Sequence, residues 1–158
     1  MRDAADTGPK AKLLLVEDEP LVLLDERRKL ALRGYEVETA RSAAEAIAAA
    51  ERAEDIDLLV TDVDLGPGMD GIEAAKAILG MRPMPVVFLS SCDESDIRER
   101  AAGIGTYGFL DKAQSTAALY KAVEAALAGG THGPGPRGPA DPVGGGRDPA
   151  GDPARRSA

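Results

Sequence analysis

Five residues of this chain have the types and spacing to do chemistry together. Glu17 and Asp18 follow the apolar run Lys12–Val16, Asp62 and Asp64 stand around the end of Leu58–Thr61, and Lys112 ends a later run, Gly108–Leu110. If those runs are parallel strands of one sheet, the acids and the lysine converge at one edge. Carboxylates held that close repel one another by about 4 kcal/mol per pair at an effective dielectric of 20. A divalent cation in the gap offsets that cost, and hard oxygen ligands favour magnesium or calcium.

The elements that must position these residues can be read from the same sequence. Between residues 11 and 128 a short apolar run and a helical pattern alternate five times. Strands are predicted at Lys12–Val16, Tyr35–Thr39, Leu58–Thr61, Val86–Leu89 and Gly108–Leu110. Apart from Lys12 and Thr61, the first, third and fourth are apolar throughout, as strands covered on both faces are. Helices are predicted at Pro20–Leu32, Ser42–Ala53, Gly71–Leu79, Glu94–Ala102 and Thr116–Ala128. Pro20 suits a first helical turn, and Ser42-Ala43-Ala44-Glu45 is a capping-box pattern. Gly34, Gly103 and Gly129 follow helix ends, where a left-handed residue is often required. Strict alternation predicts an α/β fold with a doubly wound, five-stranded parallel sheet. Ligands of such sheets bind beyond the carboxyl ends of the strands, where the acids are placed.

Composition narrows the function classes. The 158 residues fit one domain of ordinary size plus a tail. Residues 129–158 hold nine of the 18 glycines and six of the 11 prolines, with hardly a large apolar side chain. Such a stretch buries too little surface to offset the entropy of ordering it, and a disordered tail is predicted there, as is a flexible N-terminus over residues 1–10. The tail's four arginines and three aspartates leave −9 on residues 1–128, against −8 for the whole chain. That charge argues against coating a nucleic acid. No apolar run approaches the ~18 residues of a membrane span, and the polar opening lacks a signal-peptide core, so a cytoplasmic location is expected. With Cys92 as the single cysteine there is no intrachain disulfide.

Four stretches, taken in order, resemble the receiver domains of response regulators in two-component signalling. Leu13–Pro20 (LLLVEDEP) is similar to their opening strand and acidic pair, and Asp57–Asp62 (DLLVTD) with Met69-Asp70-Gly71 to their phosphoacceptor strand and loop. Val86–Ser91 looks like the strand ending in their switch hydroxyl, and Gly108–Lys112 like the fifth strand with its lysine. The resemblance covers residues 11–128. It implies a flavodoxin-like (βα)5 receiver fold in which Asp62 takes a phosphoryl group from a phosphohistidine. Glu17 and Asp18 would hold Mg²⁺ together with the Asp62 carboxylate and the backbone carbonyl of Asp64. Lys112 would pair with a phosphoryl oxygen, the Ser90 hydroxyl would donate to another, and Phe109, at the aromatic switch position, would move inward as Ser90 shifts. The partners implied are a histidine kinase or histidine phosphotransfer protein, and a downstream protein contacting Glu94–Ala128. A homodimer is compatible with the sequence. With only the tail after the last helix, a stand-alone receiver is expected.

The sequence departs from that family's common pattern twice. Its loop Leu65–Gly71 is one residue longer, with an extra glycine, and Ala113 follows Lys112 where many relatives have proline. Asp64 and Cys92, each two residues beyond a site residue, hold variable positions. His132 falls in the tail without a helical context. Two other readings compete. Asp62-Val63-Asp64 resembles the motif of haloacid-dehalogenase-type phosphohydrolases, although those enzymes carry it on their opening strand. A degenerate receiver that binds its partner without phosphorylation is the third.

Overall fold

The computed structural model describes residues 8–105 and 107–129; the predicted tail from residue 130, with His132, and the first seven residues lie outside them. Five parallel strands alternate with five helices: β1 Lys12–Val16, α1 Pro20–Leu32, β2 Glu36–Ala40, α2 Ala43–Arg52, β3 Leu58–Asp62, α3 Gly71–Met81, β4 Val86–Ser90, α4 Glu94–Arg100, β5 Gly108–Asp111 and α5 Thr116–Leu127. The strand order is β2-β1-β3-β4-β5, a doubly wound, flavodoxin-like sheet. Order reverses between β1 and β3, so the ligand crevice opens at their carboxyl ends.

Strand parity builds two cores. Leu13 and Leu15 of β1 face one way, with Leu58, Val60, Val87, Leu89 and Leu110, and meet Leu23 and Leu30 of α1 and Leu119 and Val123 of α5. Leu14 and Val16 face the other way, with Leu59, Phe88 and Phe109, and meet Ala-rich α2, α3 and Ile97 of α4. Small side chains on α2 (Ala43, Ala46, Ala49, Ala50) let that helix lie close to the sheet. Each fully buried leucine of the central strands contributes about 1.5–3 kcal/mol relative to exposure.

Element ends differ from the sequence expectation in instructive ways. β3, β4 and β5 each run one residue further than predicted, so Asp62, Ser90 and Asp111 are inside the ladder, at the ends of their strands. β2 starts one residue late, because the Tyr35 N–H turns back to Leu30 O at 3.3 Å and its ring is buried. α4 stops at Arg100 and a 3-10 turn, Ala102–Ile104, follows. Gly103 therefore sits inside that turn, and the left-handed residue is Gly105, at φ +91°. Ser42 caps α2 as expected, accepting from Glu45 N at 3.1 Å. Glu45 reaches back to Arg41 N rather than to Ser42, so that box is one residue offset. The complete capping box is at α3, between Asp70 and Glu73.

Candidate functional site

Parallel register brings the chemistry-bearing residues together. Val16 pairs with Thr61, so Glu17 and Asp62, the next residue on each chain, stand side by side. Asp62 pairs with Leu89, and Ser90 with Asp111, whose successor is Lys112. Glu17, Asp62 and Lys112 share the parity of Leu15, Val60 and Leu110, which face α1 and α5. Ser90 and Phe109 have the opposite parity, toward α3 and α4. The sheet thus sorts the expected residues onto two sides of its carboxyl edge.

On the first side, Lys112 Nζ donates to Glu17 Oε1 at 2.9 Å and to Asp62 Oδ2 at 3.1 Å. Glu17 is 1 % exposed and Asp62 4 %. Glu17 Oε2 accepts the Glu19 N–H at 3.2 Å, which fixes the carboxylate's second oxygen. Asp18 is more exposed than either, yet oxygens of Glu17, Asp18 and Asp62 all lie within 4.8 Å of one another. Three carboxylates converging on so small a volume suit a hard divalent cation, and these residues could hold one. Burial raises the Asp62 carboxyl to about 6, with the Glu17 charge adding to the shift and Lys112 opposing it. Burial alone would pull the Lys112 ammonium down, but its hydrogen bond to Glu17 and the Asp62 charge leave it above the ordinary lysine value.

The backbone around Asp62 is clamped. Gly71 N donates to Val63 O at 2.8 Å, and Thr61 Oγ1 donates to Asp62 O at 2.9 Å. A Cβ on Gly71 would lie 2.0 Å from Asp62 O, so only glycine permits this approach. In the longer loop, Gly66 adopts φ +84°, and its N–H donates to Asp64 Oδ1 at 3.1 Å. The exposed Asp64 side chain thus shapes the loop from outside the acid cluster. Gly66 also lies against the Asp18 carboxylate.

On the second side, Ser90 is 3 % exposed and its Oγ accepts the Cys92 N–H at 2.9 Å. That bond uses a lone pair and leaves the hydroxyl proton uncommitted by it. Phe109 is 5 % exposed, packed with Phe88 and Ile97. Its ring lies inward in this structure. Ala113 in place of proline does not disturb the corner: among the described residues every peptide is trans. Lys112 N bonds Ser90 O at 2.9 Å, and Ala113 N bonds Asp111 Oδ1 at 2.8 Å.

These strand-end residues stand in the order of the four stretches quoted above, and the sequence profile of the response regulator receiver domain matches residues 13–124. The chain belongs to this family. It is 36 % identical over 124 residues to the transcriptional regulatory protein PdtaR of Mycobacterium tuberculosis, an alignment spanning 78 % of this chain and 60 % of PdtaR. The match therefore covers less than two thirds of that protein. A response regulator receiver protein from Sinorhizobium medicae superposes with a TM-score of 0.70 at 28 % identity, over 79 % of this chain and 98 % of the other. The N-terminal domain of a response regulator/sensory box/GGDEF protein from Carboxydothermus hydrogenoformans gives 0.69 at 33 %, over 74 % and 94 %. Receiver domains are signalling switches of two-component systems. Among the described residues, no helix of this one is long and apolar enough to cross a membrane.

One acid near the site was not singled out from sequence. Glu26 lies on α1 between Leu23 and Leu30, on the helix's buried stripe, and its carboxyl is raised to about 7. Burial is the main cause, followed by the Glu17 charge, with Lys112 opposing. The signal was available: an acid three residues after one core leucine and four before the next. Glu26 and Lys112 line one cavity of about 380 Å³ between α1 and α5. A larger cavity, about 1010 Å³, lies at the opposite end of the sheet beside Pro85, Val86 and Gly108, and carries none of these acids.

Proposed function

We propose that this receiver accepts a phosphoryl group on Asp62 from the phosphohistidine of a histidine kinase or phosphotransfer protein. An Asp62 carboxylate oxygen forms the new P–O bond as the P–N bond breaks, and the imidazole leaves with the bonding electrons. Glu17, Asp18 and Asp62, with the Asp64 backbone carbonyl, would hold Mg²⁺. Bound there, the cation supplies positive charge that screens the acids from an anionic phosphoryl group. Phosphoryl transfer needs mainly such positioning and charge stabilisation. Lys112 then pairs with a phosphoryl oxygen and Ser90 donates its hydroxyl proton to another. The observation that carries this reading is the Lys112 ammonium bonded to both buried acids, Glu17 and Asp62.

Output would pass through protein contacts on Glu94–Ala128, the surface of α4, β5 and α5, either to a downstream protein or to a second copy of the chain. The phosphohydrolase reading is less well supported, because the exposed Asp64 carboxylate is bonded to Gly66 N and is not aimed into the cluster. Intact-mass spectrometry after incubation with acetyl phosphate and Mg²⁺ tests the proposal. One phosphoryl adduct is expected in the wild type and none in Asp62→Asn; full labelling of that variant would refute it. Mg²⁺ binding without any uptake would favour the phosphorylation-independent receiver.

A further inference from the structure

We propose that Glu26 is a positioning residue for Lys112: a second carboxylate acceptor that lets the ammonium leave Asp62 without losing an ionic partner. This inference rests on the phosphoacceptor reading of Asp62. An acid on the buried stripe of α1 is costly unless something pairs with it. Yet Glu26 Oε1 is fully buried and, among the described residues, has no hydrogen-bond partner. It is an acceptor without a donor.

The donor that fits is close by. Glu26 and Lys112 line the same cavity between α1 and α5. The other lysine of that cavity, Lys29, is already engaged by Asp25 at 2.8 Å. Lys112 has three ammonium hydrogens and spends two, on Glu17 and Asp62. Its side chain is only partly buried and lies beside open volume, so a pivot toward α1 breaks no packing.

Such a pivot has a use. While Lys112 holds Asp62 Oδ2, the oxygen is hydrogen-bonded by a cation and its attacking charge is reduced. Moving the ammonium onto Glu17 and Glu26 frees that oxygen while keeping the lysine within reach of the phosphoryl group once it is attached. Glu17 serves as the fixed point of the pivot, because Glu19 N–H restrains its other oxygen. Glu26 Oε1 is hydrogen-bonded to none of the clustered acids, and the role inferred for Glu26 is exerted on the lysine.

Two substitutions of Glu26, an Asp62→Asn background and two readouts test this. Glu26→Met keeps the volume but removes the acceptor, and relieves the burial of an acid, so the folded state is retained. The initial rate of acetyl phosphate labelling with Mg²⁺, measured above pH 8 where Glu26 is ionised, should fall roughly fivefold or more in Glu26→Met, and less in Glu26→Gln, which keeps a carbonyl acceptor. The second readout is the ¹⁵N signal of the Lys112 ammonium, which needs no phosphorylation. In Asp62→Asn the lysine should turn to Glu26, so adding Glu26→Met should shift that signal more than it does in the wild-type background. An unchanged labelling rate, or a Lys112 signal blind to Glu26 in Asp62→Asn, overturns the inference. A wild type that takes up no phosphoryl group would instead refute the function of Asp62, and the lysine signal would still decide the role of Glu26.

Discussion

Lys112 Nζ lies 3.1 Å from Asp62 Oδ2, a contact between residues 50 apart in sequence. It is made because β5 pairs with β4 and β4 with β3, one register step at a time. The ammonium thereby places positive charge between two buried acids. Lys112→Met should leave Glu17 and Asp62 facing each other unscreened and destabilise the metal-free protein by about 1–3 kcal/mol at pH 8. The loss should shrink at pH 5, where Asp62 takes up a proton. Urea denaturation in the presence of a chelator, at the two pH values, measures both; equal losses would contradict the electrostatic account.

The raised carboxyls of Asp62 and Glu26, about 6 and about 7, set a second expectation. A carboxyl whose folded pKa exceeds its unfolded one binds its proton more tightly in the folded state. The stability this gives is complete below the unfolded values of 3.8 and 4.5, and is lost as pH rises through the folded ones. The Tm of the metal-free protein should therefore fall between about pH 4 and about pH 7. Glu26→Met should flatten the upper part of that decline, and saturating Mg²⁺ the part due to Asp62. Calorimetry in chelator across this range, on wild type and Glu26→Met side by side, shows the slopes; identical slopes in the two would contradict the shift at Glu26.

These relationships were unequally legible in the sequence. The β-α alternation and the acids at strand ends follow from local patterning, because buried parallel strands are continuous apolar runs. The parallel pairing of those runs then fixes who meets whom, so the approach of Glu17, Asp62 and Lys112 could be anticipated. That Asp62 and Ser90 end strands rather than begin loops could not, since a polar residue breaks the apolar run while its backbone stays in the ladder. Nor could the state of Phe109, whose burial depends on packing against Phe88 and Ile97 from distant elements. Glu26 is not legible either, because a charged residue on a helix ordinarily belongs to its solvated face. Only the packing of α1 through Leu23 and Leu30 shows it turned inward.

Mg²⁺ should stabilise the protein, since the folded chain alone gathers Glu17, Asp18 and Asp62 within 4.8 Å. At a free concentration a hundred times Kd the gain is about 2.7 kcal/mol. Asp18→Asn should weaken binding by roughly tenfold or more, at least what loss of a metal site's supporting groups costs. Asp64→Asn should leave affinity nearly unchanged, because its side chain is tied to Gly66 N and only its carbonyl would serve as a ligand. Titration calorimetry on the two variants separates these roles. Equal loss in both would place the Asp64 carboxylate in the coordination sphere.

The last expectation concerns the backbone behind the site. A Cβ at Gly71 would lie 2.0 Å from Asp62 O and 3.0 Å from Thr61 Oγ1, while one at Gly80, in the same helix, meets nothing within 4 Å. Both glycines have ordinary negative φ, so the difference between them is space alone. Gly80→Ala should be neutral or stabilise by about 0.5–1 kcal/mol through helix propensity. Gly71→Ala must move either α3 or the Asp62 peptide, at about 1–3 kcal/mol. Asp62 is held by its neighbours in the ladder, but its carbonyl is the atom struck, so its carboxylate should shift with it. Gly71→Ala should then lose Mg²⁺ affinity and acetyl phosphate labelling beyond what its lowered stability explains, measured well below its Tm. Wild-type affinity in Gly71→Ala would mean that the helix, not the acid, gives way.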